Sequence, residues 1–231
     1  MCTVSIIGLK DRGFRLVHSR DEQRNRPAGI APTTARADNG GCLTAPKDPQ
    51  AGGTWVAARS DGVSLAVMNV NPTPPPMLPE HLVSRGHLIP TLMGLPAREI
   101  REAASRIDAA CHAPFRLIAA SIGSVTSFTW DGTSFLRAEH RTPCVWATSG
   151  LGDRPVTDRV TLFEHAVAGR SSAATQDAYH GHRWPDRGAP SVLMARPDAR
   201  TVSITTIVQR RDAAPRLRYV AIPETSWTGE G

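Results

Sequence analysis

Several features are scarce in this 231-residue sequence, and each scarcity excludes a class of protein. No apolar run approaches the roughly 18 residues that a membrane-spanning helix needs, so no span is predicted. Aromatic residues make up 5%, too few for a platform that stacks nucleic-acid bases. The cysteines include no Cys-x-x-Cys pair, which argues against a disulfide framework and against a structural zinc site: Cys2, Cys42, Cys111 and Cys144.

Lysine is also nearly absent, since Lys10 and Lys47 are the only lysines among 27 basic residues. The net charge of +6 therefore comes from arginine. The arginines are dispersed and often stand beside Asp or Glu, and no run of five or six basic residues occurs. This pattern differs from the basic stripe of a nucleic-acid-binding domain, so no nucleic-acid partner is predicted.

The length fits a single domain over residues 1–231, with a core that buries roughly 70% of the surface of the unfolded chain. The first ten residues hold too short an apolar run for a secretory signal, and Lys10 follows that run. We therefore expect a cytoplasmic protein.

Runs of alternating apolar residues separated by turn residues predict a chain made mainly of strands. Strands are predicted over 3–9, 14–18, 54–59, 63–70, 115–120, 125–130, 135–138, 145–148, 191–195, 201–208 and 216–222. Helices are predicted over 80–95, 97–111, 156–169 and 172–180, and a long loop over 23–53. Helix pairs between hairpins indicate an α+β fold with helices on the faces of mainly antiparallel sheets.

Cys2 carries the most chemical information. Removal of the initiator Met, which is common before a small residue, would leave a free α-amino group on the same residue as the thiol. The amine, with a pKa of about 8, can accept the proton of a thiol whose pKa is about 8.5. This is the arrangement of an N-terminal nucleophile. A cysteine at position 2 also occurs by chance, so position alone leaves a structural role open.

The first hairpin predicts a partner for that amine. A turn centred between Asp11 and Arg12 places Cys2 opposite Asp21, whose carboxylate could hold the α-amino group. In this register Ser19 shares the face of Asp21, whereas Arg20 points to the other face. A slip of one residue would reverse every side chain.

Several short motifs follow one another in an order typical of one family: Met1-Cys2, Ser19-Arg20-Asp21-Glu22, Ala51-Gly-Gly-Thr-Trp55, Val67-Met-Asn69-Val70, Ser84-Arg-Gly-His-Leu88 and Thr148-Ser-Gly-Leu-Gly152. Together they resemble the NRDE-motif family, which is also described as similar to transport and Golgi organisation protein 2. The resemblance covers most of the chain.

The resemblance implies a four-layer αββα sandwich similar to N-terminal-nucleophile (Ntn) hydrolases. The nearest characterised chemistry is that of the Cys-type amidases of the choloylglycine and penicillin V acylase group. Carried over to this sequence, it makes Cys2 the nucleophile, Asp21 the partner of the amine and Asn69 a donor to the oxyanion. His18 stands where the acylase group carries an arginine.

Three further residues are assigned to substrate binding: Ser19, Arg20 and Trp55. The planar guanidinium of Arg20 could orient a substrate carboxylate, or it could pair with Glu22. Trp55 could equally be a core residue whose indole N–H bonds to the backbone.

The sequence thus predicts an N-terminal-cysteine hydrolase or acyl transferase that acts on a C–N amide bond of a small molecule. This chemistry requires no metal or cofactor, and none is predicted. The alternative is a non-catalytic protein of the same fold that binds or transports a ligand such as haem or a lipid, because fold alone does not define function. The sequence identifies neither the substrate nor the oligomeric state.

Overall fold

The computed structural model describes residues 2–36, 41–153, 156–186 and 191–224. Within these ranges the strands are β1 (Cys2–Gly8), β2 (Phe14–Gln23), β3 (Ile30–Arg36), β4 (Cys42–Lys47), β5 (Val56–Arg59), β6 (Ser64–Asn69), β7 (Phe115–Ser121), β8 (Ser124–Trp130), β9 (Phe135–His140), β10 (Cys144–Thr148), β11 (Ala199–Gln209) and β12 (Arg216–Ala221). The helices are α1 (Leu88–Met93), α2 (Ala97–Ser105), α3 (Thr157–Phe163) and α4 (Ala173–His180). A 3-10 turn at Arg85–His87 precedes α1, and a π-helical segment at Glu164–Ala168 continues α3.

The strands form two antiparallel sheets. One has five strands in the order β10-β1-β2-β11-β12, and the other has seven strands in the order β3 to β9. The seven-stranded sheet follows the chain from neighbour to neighbour. In the five-stranded sheet, β1 lies between β2 and β10, so the first residues of the chain occupy a central strand.

The two sheets pack face to face. Val4, Ile6 and Leu16 from the first sheet meet Met68 and Ile118 from the second in one buried cluster. Helices α1 and α2 cover the outer face of the seven-stranded sheet, and the α3–α4 region covers the outer face of the five-stranded sheet. This is the αββα sandwich that the family resemblance implied, and it agrees with the α+β layering predicted from the residue pattern. No helix in the described ranges has the length and apolar character needed to cross a membrane.

The register of the first hairpin differs from the predicted one by one residue. Gly8 pairs with Phe14, and Cys2 pairs with Arg20 instead of Asp21. The turn is longer than predicted because the Leu9 N–H bonds to the Gly13 carbonyl, which makes Leu9 part of the turn. Arg12 adopts a left-handed conformation with φ of 63° to close it. The predicted register is therefore wrong.

Other boundaries also required correction. The predicted loop over 23–53 contains β3 and β4, and the predicted strand over 191–195 is absent from that described segment. Strand β3 lies at the edge of its sheet, is mostly exposed and contains Pro32, so it lacks the apolar alternation by which a strand is recognised. The helix predicted over 80–95 is shortened to α1 and its preceding 3-10 turn.

Helix α4 is fixed to the sheet by buried hydrogen bonds. The two ring nitrogens of His180 each lie 2.7 Å from a serine hydroxyl, those of Ser5 and Ser19. Gln176 donates a further bond to the Ser5 hydroxyl at 2.8 Å. Burial lowers the pKa of His180 to about 3, so the imidazole is neutral near pH 7. It joins α4 to β1 and β2.

The lowered pKa of His180 predicts that acid destabilises the folded protein. Between pH 6.5 and about 3 the unfolded chain protonates His180, whereas the folded chain does not, so acid favours unfolding. Urea titrations at pH 7 and pH 4.5 should give a smaller free energy of unfolding at pH 4.5. In His180→Gln, which keeps a hydrogen-bonding side chain without the titration, that difference should shrink. An unchanged difference would contradict the role given to His180.

Candidate active site

A pocket of about 160 Å³ lies at the end of the inter-sheet core where β1 begins. Cys2, whose side chain faces this core, borders it and is 7% exposed. Strands β2 and β6 and three connecting segments supply the rest of the lining: Arg20, Asp21, Glu22, Arg26, Asp48, Ala51, Gly53, Thr54, Trp55, Val67, Met68, Asn69, Ser84, Arg85 and Gly86. The pocket therefore joins the first residues of the chain to most of the motifs identified in the sequence.

Glycines allow two of these connecting segments, which contain residues 48–55 and 84–86, to meet. A Cβ on Gly53 would lie 2.8 Å from the Cα of Gly86, and the Thr54 N–H donates to the Gly86 carbonyl at 3.0 Å. Gly52 adopts a φ of 73°, a conformation that favours glycine. The Gly-Gly-Thr-Trp motif thus brings the turn containing Arg85 to the rim of the pocket.

This contact predicts different effects for two neighbouring substitutions. Gly53→Ala should displace the turn that carries Arg85, because the added methyl group meets backbone instead of a movable side chain. Gly52→Ala meets no atom within 4 Å and should cost only about 1–2 kcal/mol of left-handed strain. Thermal unfolding and the rate of Cys2 alkylation by iodoacetamide should therefore change more in Gly53→Ala. Equal changes in the two variants would argue against the backbone contact.

Two arginines of the pocket are neutralised by two carboxylates. Arg20 lies 2.8 Å from Asp48 and 3.0 Å from Glu22, and its guanidinium carbon is 4.3 Å from the ring centroid of Trp55. Arg26 lies 2.8 Å from Asp48. Burial favours the neutral acid, but hydrogen bonds from the Ala51 N–H and from Arg26 hold the pKa of Asp48 below its usual range. Arg20 is therefore bound within the protein, the second of the two roles that the sequence left open.

Burial raises the pKa of the Cys2 thiol, and the negative charges of Asp21 and Glu22 raise it further. The positive charge of Arg20 acts in the opposite direction. In the described part of the chain, no side chain hydrogen-bonds to the Cys2 sulfur. Without a base beside it, this thiol is mostly protonated near neutral pH.

Asn69 and Trp55 both line the pocket, as their predicted roles require. Asn69 ends β6, and its amide makes no hydrogen bond to any residue in the described ranges, so its N–H donors are available to a ligand. Trp55 is buried in the inter-sheet core and stacks on Arg20. Its ring thus packs in the core and also forms part of the wall.

Ser19 and Asp21 lie on the opposite face from the one predicted, because the register differs by one residue. Ser19 is fully buried, its hydroxyl bonds to His180, and it does not border the pocket for which a substrate contact was predicted. The Asp21 carboxylate accepts hydrogen bonds from Arg159 at 3.0 Å and from the Thr201 hydroxyl at 2.7 Å. Arg159 also donates to the Thr3 hydroxyl at 2.9 Å. Asp21 is thus one half of a buried ion pair between β2 and α3.

This ion pair changes the effect expected of Asp21→Asn. The variant should lose about 3–5 kcal/mol of stability, because it removes the carboxylate that compensates the buried charge of Arg159 at 3.0 Å. The double variant Asp21→Asn with Arg159→Met removes that charge and should recover much of the loss in urea titrations. If the double variant folds but an activated ester acylates Cys2 more slowly than in wild type, Asp21 also acts on Cys2. If the acylation rate returns to that of wild type, the role of Asp21 is purely structural.

The sequence did not assign two residues that the structure brings to this region. His18 is fully buried on the inner face of β2, where it pairs with Val4, two residues along β1 from Cys2. Its ring nitrogens have no partner among the described residues. The neighbouring Ser203 and Thr205 hydroxyls on β11 are also buried without a partner in those ranges. Such a polar cluster is a setting for ordered water. Burial lowers the pKa of His18 to about 3.

Arg85 is the second unassigned residue. One of its terminal nitrogens, Nη1, donates to the Pro114 carbonyl at 2.8 Å. No carboxylate in the described ranges forms an ion pair with it. The Ser84–Leu88 motif contained the signal, but no spacing in the sequence indicates that this segment contacts Gly53. In the described ranges, no group of three His, Cys, Asp or Glu side chains is placed to hold a metal ion.

Two solved structures have a fold similar to that of this chain. The Caenorhabditis elegans N-acylethanolamine-hydrolyzing acid amidase ortholog superposes with a TM-score of 0.62 at 12% identity, covering 96% of this chain and 100% of that one. A variant of the conjugated bile acid hydrolase from Clostridium perfringens gives 0.50 at 10% identity, covering 95% and 92%. At these identities the likeness concerns the fold.

The sequence itself defines the family. The family described as Transport and Golgi organisation 2 matches residues 1–169, so this chain belongs to it. The resemblance drawn from the motifs is thereby confirmed. A search of curated proteins found no match.

Proposed function

We propose that this protein is an N-terminal-cysteine hydrolase or acyl transferase that acts on the C–N amide bond of a small molecule. The observation that carries the proposal is the position of Cys2, at the start of a central strand and at the edge of a pocket that also contains Asn69. The shared fold supports it, since both similar structures are hydrolases by name.

In the proposed reaction, loss of Met1, which lies outside the described residues, frees the α-amino group of Cys2. This amine takes the proton of the thiol, and the resulting thiolate attacks the amide carbonyl carbon. The Asn69 amide donates to the oxyanion of the tetrahedral intermediate. The C–N bond then breaks as the amine passes its proton to the leaving nitrogen. Water hydrolyses the thioester, or a second nucleophile accepts the acyl group.

The electrostatics around Cys2 favour a base on the same residue. Burial raises the pKa of the Cys2 thiol and keeps it protonated. A base on Cys2 itself can accept that proton without contact with solvent. The positive charge of Arg20 favours the thiolate once it forms. Asp21 lies close enough for its charge to act on the thiol, and the same charge would stabilise the α-ammonium group.

Ligand binding without turnover is the second candidate, and the raised pKa of the Cys2 thiol favours it. A pocket of about 160 Å³ with several charged side chains would suit a small polar ligand. It fits haem or a lipid poorly, because pockets for such ligands are larger and mainly apolar.

Acylation of Cys2 distinguishes the hydrolase from a protein that only binds a ligand. Incubation with a p-nitrophenyl acyl ester or a small anilide, followed by intact and peptide mass spectrometry, should give an acyl adduct on Cys2 in the protein that has lost Met1. Cys2→Ala removes a buried sulfur from the core, but it should remain folded in thermal unfolding and should form no adduct at position 2. Cys42→Ala, at an exposed cysteine on another sheet, is the matched control and should react like wild type.

Cys2→Ser keeps the shape but carries a weaker nucleophile, so slow residual acylation would support the hydrolase. A protein without Met1 that forms no adduct at Cys2, and whose Cys2→Ala variant behaves like wild type, would overturn the proposal.

A further inference from the structure

The charges around the pocket do not balance locally. Arg20 and Arg26 share the carboxylates of Glu22 and Asp48, as described above. Asp21, which also borders the pocket, is paired with Arg159 on the other face. The guanidinium of Arg85 is left without a carboxylate partner in the described ranges, although it is half-buried.

Arg85 is also held in place. It belongs to a 3-10 turn whose start is capped by the Ser84 hydroxyl, which accepts from the Gly86 N–H. The Gly86 carbonyl accepts from the Thr54 N–H, and the Arg85 Nη1 is fixed on the Pro114 carbonyl. The guanidinium is therefore oriented before any ligand arrives.

The remaining edge of the guanidinium suits one kind of ligand. With Nη1 used by Pro114, the Nε and Nη2 groups have no partner in the described part of the chain, and together they form the fork that binds a planar carboxylate through two hydrogen bonds. Burial and the positive charge of Arg26 lower the pKa of Arg85, whereas the carboxylate of Glu22 acts in the opposite direction. An arginine does not lose its proton in practice, so an anion from outside is the means left to compensate its charge.

We propose that Arg85 forms an anion-binding subsite beside Cys2 and that the substrate is an amide that carries a carboxylate, such as an N-acyl amino acid. The subsite itself does not depend on catalysis, whereas the substrate class rests on the proposed function. The carboxylate binds the free edge of Arg85 while the amide carbonyl lies at Cys2. This role differs from the one that the sequence gave to Arg20.

The subsite can be tested through alkylation of Cys2, which requires no turnover. Iodoacetate and iodoacetamide differ mainly in that the first carries a carboxylate, and the exposed Cys42 of the same molecule reports their intrinsic reactivities. We divide the iodoacetate-to-iodoacetamide rate ratio at Cys2 by the same ratio at Cys42. This normalised ratio should be about 10, as expected for a hydrogen bond between charged groups. Peptide mass spectrometry measures both sites in one sample.

Arg85→Gln should reduce that normalised ratio to near one, and a change in the thiolate fraction of Cys2 divides out because it affects both reagents equally. Arg101→Gln is the matched control, because Arg101 is a half-buried arginine that donates to Ser121 and does not border the pocket. It should keep the wild-type ratio. Arg85→Lys retains the charge without the fork and should give an intermediate value. Thermal unfolding establishes that each variant is folded.

The outcomes separate the two proposals. A wild-type ratio near one, or a raised ratio that survives in folded Arg85→Gln, would overturn the subsite. If Cys2 acylates but N-acyl amino acids react no faster than the matching neutral N-acyl amides, the substrate class is wrong and the hydrolase stands. If the ratio depends on Arg85 but no acyl adduct forms on Cys2, the subsite stands and the hydrolase is wrong.

Discussion

The pairing register of β1 and β2 decides which chemistry the molecule can present, because adjacent residues of a strand point to opposite faces of a sheet. With Cys2 opposite Arg20, one face receives a thiol and a guanidinium, and the other receives Ser19 and Asp21. The first face meets the second sheet and forms the pocket, whereas the second face meets α3 and α4. A five-residue turn, closed by Arg12 in a left-handed conformation, thus separates the residues of the pocket from those that attach the helices.

The same alternation between the faces of the sheet determines on which side each carboxylate of β2 lies. Asp21 is used on the helical side to compensate the buried Arg159, while Glu22 and Asp48 compensate Arg20 and Arg26 on the pocket side. Burial of a charge is tolerated only where a partner is present, so each of these pairs also fixes a chain segment. Arg85 departs from the pattern. Among the arginines that line the pocket, Arg85 forms no ion pair with a carboxylate in the described ranges, and its position beside the Cys2 thiol is the basis for assigning the missing partner to a ligand.

The layers and most of the strands could be predicted from local pattern, since the hairpins β5–β6 and β7–β8 each combine two apolar strands with a short turn. Cys2, Trp55 and Asn69 could be identified because each lies in a motif. The polar edge strand β3 could not, because exposure removes the apolar signal. The pairing register of β1 and β2 could not be predicted, because a turn that is longer by one residue leaves the sequences of both strands unchanged. Arg85 could not, because its position depends on a backbone contact between Gly53 and Gly86, which are far apart in the chain.

The structure also explains why the fold and the chemistry are separable. The inter-sheet packing and the helical attachments place Cys2 at the pocket, but burial keeps its thiol protonated, and no described side chain bonds to its sulfur. A base must therefore come from elsewhere, and removal of Met1 would supply one on Cys2 itself. On this view folding builds a binding pocket, and a single cleavage at its edge converts the pocket into a nucleophilic site.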